Sequence, residues 1–346
     1  MASTLLRRRY LGHYPPWGPV TTPVMPVSDD RCVPLSPDAA RLLAVLQERS
    51  PAVGTEVLDA PTARRLQAEA ARRAPGPDLA EVTDRTIPGP PGAPEVPVRV
   101  YRPDPGVQGA PAVLYLHGGG WVLCDLDSHD AICRRLARDT GAVVVSVDYR
   151  RAPESPFPAA LDDACAALGW LHDEAPALGV ARERIAIAGD SAGGNLAAGV
   201  TLRVRDAGGP VVRCQVLVYP VTDCRFDTPS YLRFADGGGS LTLPKMRWYW
   251  DQYVPDGDRT NPYCSPLRAE LAGLPPAFVA VAECDPLNSE GHAYAARLAA
   301  SGVAVTTREY PAFHGFLGLH DQLPEARQAH ADIAAWIAAQ LREEQG

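Results

Sequence analysis

The stretch Ile185-Ala186-Ile187-Ala188-Gly189-Asp190-Ser191-Ala192-Gly193-Gly194-Asn195 decides how the rest of the chain is read. Four apolar residues bounded by glycine suit a buried strand, and residues 195–207 carry helical spacing. A serine between two glycines, pinched between strand and helix, is the context of a nucleophile elbow. The turn is sharp enough to strain the serine backbone, and small neighbours are needed for the chain to pass. It also leaves the Ser191 hydroxyl exposed at a helix N-terminus, where developing negative charge is favoured. Ser191 is therefore the candidate nucleophile, and Asp190 is read as structural support inside the turn.

Working outward, the next signal is His117-Gly118-Gly119-Gly120-Trp121, directly after the apolar run 112–116. Three glycines leave backbone N–H groups free to face a site, as stabilisation of a tetrahedral oxyanion requires. Gly119, Gly120 and the N–H of Ala192 are the expected donors, and His117 is expected to hold the loop. The general base is expected at His314, in Phe313-His314-Gly315-Phe316 beyond the last strand-like run. The remaining histidines have helical or arm surroundings. A carboxylate should orient that imidazole. Asp285, in Asp285-Pro286-Leu287, follows the run 278–281 and gives the chain order serine, acid, histidine. Glu283 is its near rival and Asp321 a distant one.

Around these motifs the text alternates. Strands are expected at 96–101, 112–116, 143–147, 185–188, 214–219, 278–281 and 303–310. Helices are expected at 131–139, 159–171, 195–207, 291–300 and 325–341. Alternation of this kind implies an α/β fold with a mostly parallel central sheet flanked by helices. Ligands then bind beyond the carboxyl ends of the strands, where all the motifs fall. Residues 1–35, rich in Pro and Arg, read as an extended N-terminal arm. Residues 36–90 open with Ser36-Pro37-Asp38, a helix-start pattern, and read as the N-terminal part of a helical cap. Residues 91–346 read as the catalytic domain, with a second cap segment at about 230–258. That segment holds Gly237–Gly239 and an aromatic helix with Trp248, Trp250 and Tyr253. Together with Trp121 and Phe316, these three aromatics are candidates to line an apolar substrate pocket.

Composition mainly excludes. Apolar residues make up 46% of the 346, enough for a sizeable core. The net charge of -8 gives no footprint for nucleic acid. No apolar run is long enough to span a membrane. Arg7-Arg8-Arg9 resembles the start of an export signal, but His13, Tyr14, Pro15 and Pro16 follow where an apolar stretch is required. The eight cysteines form no C-x-x-C pair and have no zinc-ligand spacing, so reduced thiols in a cytoplasmic protein without a metal are expected.

The motifs at 117–121, 189–193, 285–287 and 314–316 together resemble the bacterial hormone-sensitive lipase family of α/β-hydrolase esterases. So does Asp148-Tyr149-Arg150-Arg151-Ala152-Pro153-Glu154 with Pro156-Phe157-Pro158-Ala159-Ala160. The resemblance spans roughly residues 96–338. It implies the α/β-hydrolase fold with a helical cap, and a serine carboxylesterase that takes short- to medium-chain acyl esters and needs no cofactor. Asn288-Ser289 and Arg151 depart from the family pattern and bear on local ion pairing and packing. Amide, N-acetyl or O-acetyl hydrolysis on a secondary metabolite, and a non-catalytic small-molecule-binding protein on the same fold, are the alternatives. The partner expected is a small-molecule acyl ester, with neither nucleic acid nor membrane, and the terminal strand and helix offer an edge for a homodimer.

Overall fold

The computed structural model describes residues 35–49, 58–70, 75–234 and 240–342. The N-terminal arm and the triple glycine at 237–239 lie outside the described residues. In chain order the elements are α1 (Pro37–Arg49), α2 (Ala60–Ala70), β1 (Glu81–Ile87), β2 (Val96–Arg102), β3 (Ala110–Leu116), α3 (Asp130–Thr140) and β4 (Val143–Val147). Then follow α4 (Ala159–Asp173), β5 (Val180–Asp190), α5 (Ala192–Asp206), β6 (Cys214–Val218), α6 (Pro229–Phe234) and α7 (Leu243–Tyr253). The chain closes with β7 (Ala277–Cys284), α8 (Asn288–Ala300), β8 (Val305–Phe313) and α9 (Pro324–Gln340).

One eight-stranded sheet runs in the order β1-β2-β4-β3-β5-β6-β7-β8. The pairings β1–β2 and β2–β4 are antiparallel, and every pairing from β4 to β8 is parallel. Alternation along β3 sends Ala112, Leu114 and Leu116 to one core and Val113 and Tyr115 to the other. Residues from α4, α5 and α8 cover the first face, and residues from α1, α3 and α9 cover the second. A strand buried on both faces reads as a nearly continuous apolar run, as Val143-Val144-Val145-Ser146-Val147 does, with Ser146 its one polar residue and buried as well.

Two differences from the sequence reading concern the sheet. The segment 36–90, expected to belong wholly to the cap, gives its last part to the sheet as β1, an edge strand paired along its length with β2. Its sequence Glu-Val-Thr-Asp-Arg-Thr-Ile is polar and largely unburied, because one edge and much of its surface face solvent. β8 also runs on through Pro311 to Phe313. It is the last strand of the sheet, where a missing N–H is tolerated, and the Pro311 carbonyl accepts from the Ser36 N–H. Among the described residues no helix is long and apolar enough to cross a membrane.

Candidate active site

Four parallel strands end together and carry the site. Ser191 follows β5, the loop 117–124 follows β3, Asp285 follows β7, and His314 follows β8. Ser191 is the N-cap of α5 with φ 55° and ψ -119°, the strained turn that the glycines flank. The turn is possible because β3 and α5 nearly touch. A Cβ on Gly193 would lie 1.9 Å from the Leu116 carbonyl oxygen. The Ser191 N–H donates to Val218 O at 2.8 Å, and the Ser191 carbonyl accepts from Val221 N at 3.3 Å.

Three side chains from separate loops form one hydrogen-bonded line. Ser191 Oγ lies 2.9 Å from His314 Nε2, and His314 Nδ1 lies 2.6 Å from Asp285 Oδ2. Asp285 is fully buried, and its other oxygen accepts from Leu287 N at 2.9 Å. With the carboxylate on Nδ1, that nitrogen carries the proton and Nε2 is free to accept from the serine hydroxyl. Glu283 lies inside β7, short of the strand end, and Asp321 pairs with Arg135 instead.

The glycine loop is shaped from both sides. Gly119 has φ +109°, and a Cβ on Gly120 would come within 2.2 Å of the Tyr249 ring on α7. Among the described residues, neither the Gly119 nor the Gly120 N–H is paired with a backbone carbonyl. Ala192, the first residue of α5, contributes an N–H of the unpaired first turn. The Gly118 N–H is occupied, donating to Asp190 Oδ1 at 3.0 Å. Asp190 also takes the Tyr115 hydroxyl at 2.8 Å and faces His129 Nε2 at 3.2 Å. Burial alone would raise the Asp190 carboxyl, but His129 and Tyr115 outweigh it and bring it down to about 2. Asp190 therefore anchors the glycine loop to the elbow. His117 stacks on Tyr149 at 4.2 Å and bonds to the Gly118 carbonyl. Burial, then the neighbouring His129, pushes its imidazole down to about 3, so it is neutral.

A cavity of about 300 Å³ sits over Ser191, lined by Gly119, Gly120, Trp121, His314 and apolar groups including Leu241, Met246 and Tyr249. Leu46 of α1 and Gln67 of α2 also reach it. Arg64 of α2 ties that helix to the glycine loop, donating to Val122 O and Ala152 O at 2.7 Å each. Of the five aromatics expected in the pocket, Trp121 lines it and Trp248, Trp250, Tyr253 and Phe316 do not. Trp250 and Tyr253 are fully buried behind Trp121, with Tyr253 stacked on it at 4.1 Å. Trp248 packs edge-on against Tyr249, and Phe316 braces Tyr219. Tyr219, Val221, Leu241, Met246 and Tyr249 are among the lining residues that sequence reasoning missed. Tyr219 did carry a signal, since it follows the carboxyl end of β6.

The departures at 151 and 288–289 are accommodated locally. Arg151 donates to the Cys124 carbonyl, Asn288 Nδ2 donates to Ala282 O at 2.9 Å, and Ser289 exchanges hydrogen bonds with Ser230. Among the described residues no group of three or more His, Cys, Asp and Glu is placed to hold a metal ion.

Comparison with known proteins agrees with this architecture. Residues 113–318 match the family model of the alpha/beta hydrolase fold. The carboxylic ester hydrolase LipN of Mycobacterium tuberculosis is 48% identical over 255 residues, covering 71% of this chain and 67% of that protein. The ethyl acetate hydrolase of Pseudomonas putida is 44% identical, over 67% of this chain and 74% of its own. Among solved structures, a thermostable esterase from Pseudomonas putida superposes with a TM-score of 0.84 at 38% identity, covering 90% of this chain and 99% of that one.

Proposed function

This chain belongs to the α/β-hydrolase family, in its bacterial hormone-sensitive-lipase-like branch, and is a carboxylic ester hydrolase; from that premise we propose that it works as a serine esterase on short- to medium-chain acyl esters. The observation that carries the proposal is the hydrogen-bonded line Ser191–His314–Asp285 beneath an apolar cavity whose far wall is Gly119 and Gly120.

In this reading, Ser191 Oγ attacks the acyl carbonyl carbon as its proton moves to His314 Nε2. Asp285 holds the Nδ1–H and stabilises the imidazolium that forms. The carbonyl oxygen gains its charge facing the N–H groups of Gly119, Gly120 and Ala192, where each donor is worth about 2.7–4 kcal/mol in the transition state. The imidazolium returns its proton to the leaving alkoxide, the alcohol departs, and an acyl-serine remains. Water then enters, loses a proton to His314 and releases the acid, restoring Ser191. Nucleophile, base and electrophilic donors all come from the chain, so the proposal calls on no cofactor.

The cavity, at about 300 Å³, stands at the lower end of the roughly 300–1,000 Å³ found for small-molecule pockets. That size supports short to medium acyl groups over long ones. The test is hydrolysis of p-nitrophenyl acetate, butyrate, octanoate and palmitate, beside matched acetamides, by wild type and Ser191→Ala. Turnover should peak at acetate to octanoate, and the variant should lose at least about 10⁴-fold in kcat. Amides turned over faster than esters, or a variant as active as wild type, would overturn the proposal.

A further inference from the structure

The loop after β6, residues 219–223, touches two members of the catalytic line, His314 and Ser191. The Tyr219 ring lies 4.7 Å from the His314 imidazole. The Val221 N–H donates to the Ser191 carbonyl, and the Val221 carbonyl accepts from Asn195 Nδ2 at 2.9 Å. Next along, the Thr222 carbonyl accepts from Leu267 N at 2.8 Å, and its N–H and hydroxyl are both held by one residue of α8. Glu290, in the first turn of α8, is 1% exposed, and its Oε1 accepts from Thr222 N at 2.6 Å and from Asp223 N at 3.4 Å. The Thr222 hydroxyl donates back to the Glu290 main-chain carbonyl at 3.0 Å. Asp285 precedes that same helix, in a turn closed by its own bond to Leu287 N and by Gly291 N on Leu287 O.

We propose that Glu290 is a positioning residue, a clamp that fixes the Tyr219–Asp223 loop, and with it Ser191 and His314, against the segment that carries Asp285. The inference rests on Ser191 and His314 acting as proposed above. Its logic is geometric. The three members of the line hang from three strand ends, and the 219–223 loop contacts the two that must share a proton. Tyr219 is itself held at φ 35°, which a loop without a fixed partner would relax.

Glu290 also sits where burial disfavours its charged form. Its Oε2 is buried with no hydrogen-bond partner, a poor setting for a carboxylate. The groups facing it are the Asp285 carboxylate from the end of β7, Asp223 from the loop, and Tyr231 from α6. The cation nearby, Arg268, is bonded to Asp223. The Thr222 and Asp223 N–H groups favour ionisation. Burial and the two carboxylates oppose it and hold Glu290 well above the usual carboxyl range.

The test compares Glu290→Gln, Glu290→Asp and Glu290→Ala with wild type. It reads kcat and KM for p-nitrophenyl butyrate from pH 5 to 9, and the rate of Ser191 labelling by a fluorophosphonate. Gln keeps the Oε1 acceptor and the neutral shape, so it should rescue kcat to within about 3-fold and leave the acid limb of the profile in place. Asp is one methylene short of Thr222 and Ala has no acceptor. Both should lose roughly 10²-fold in kcat and labelling rate with KM nearly unchanged, the scale of a small misplacement of reacting groups. A folded Ala or Asp variant within about 3-fold of wild type would overturn the clamp. If Ala and Asp fail to fold, the Gln variant still decides. A kcat loss beyond about 10-fold, or an acid limb moved down by about half a pH unit, would show that a charged carboxylate is what matters and sink the inference. Ser191→Ala run in parallel separates the two readings. An inactive Ser191→Ala with a fully active Glu290→Ala removes the clamp alone, and an active Ser191→Ala removes the serine mechanism itself.

Discussion

Among the described residues, the non-glycine residues at positive φ are Trp121, Cys124, Ser191 and Tyr219, and all four line the cavity. Each such conformation costs of order 1–3 kcal/mol and persists only where the surroundings enforce it. Here the enforcement is visible: Gly118, Gly119, Gly120, Gly189 and Gly193 make room, Tyr253 stacks on Trp121, and Phe316 braces Tyr219. The same residues explain why the pocket aromatics were only partly legible. Composition and spacing put Trp250, Tyr253 and Phe316 near the site, yet whether a ring lines a cavity or backs the residue that does depends on helix rotation, which a short aromatic helix does not encode. The line Ser191–His314–Asp285 was legible because each member sits next to a strand end with a local marker. The chemistry of that line gives a sharp expectation for Asp285→Asn. The amide carbonyl would keep the Leu287 N–H and the NH₂ would donate to His314 Nδ1, favouring the wrong tautomer, so kcat should fall by about 10⁴-fold while KM changes little. Steady-state kinetics on p-nitrophenyl butyrate check this, and a loss under about 10-fold would mean Asp285 does not orient the base.

At the scale of elements, the elbow is a contact between β3, β5 and the first turn of α5. The Cβ that Gly193 lacks would sit 1.9 Å from Leu116 O and 2.6 Å from His117 O, both backbone atoms that cannot swing aside. Gly193→Ala should therefore push α5 off β3. Overpacking of this kind costs about 1–3 kcal/mol, and it should also displace Ser191, so urea midpoint and fluorophosphonate labelling rate should fall together. An unchanged midpoint would mean that α5 does not approach β3 this closely. Elements buried on both faces, such as β4, were legible to the residue, because the sheet interior demands a nearly unbroken apolar run. Those missed were β1, whose polar edge has no such demand, and α6, six residues long and without a marked start. Pro311 disguised the end of β8, since only an edge strand tolerates it.

For the whole molecule, four buried titratable groups set how stability should depend on pH. His117 and His330 are pushed down by burial to about 3 and about 4. Below their ordinary 6.5 the unfolded chain takes up protons that the folded one refuses, so each should subtract about 1.4 kcal/mol per pH unit as pH falls from 6.5 toward those values. Glu290 has the opposite sign. Burial raises it, so above about 4.5 the unfolded chain loses a proton that the folded one keeps, and stability falls as pH rises. Between pH 4.5 and 6.5 the two histidines outweigh the one glutamate and stability climbs, and the histidine contribution is complete above 6.5. Asp190 adds a further loss near the acid extreme. Its carboxyl, brought down to about 2 against burial by His129 and Tyr115, contributes stability that is present above 3.8 and lost as pH falls toward 2. Thermal unfolding from pH 4.5 to 6.5 should thus show a rising Tm. His330→Gln can keep the donation that His330 Nε2 makes to the Leu317 carbonyl at 3.0 Å while removing one titration, so it should shallow the acid side by about half of the histidine contribution. Glu290→Gln removes the opposing carboxyl and should steepen that climb. A Tm that is level from pH 4.5 to 6.5 in wild type, or an acid slope untouched by His330→Gln, would mean that these imidazoles are not held neutral by the fold.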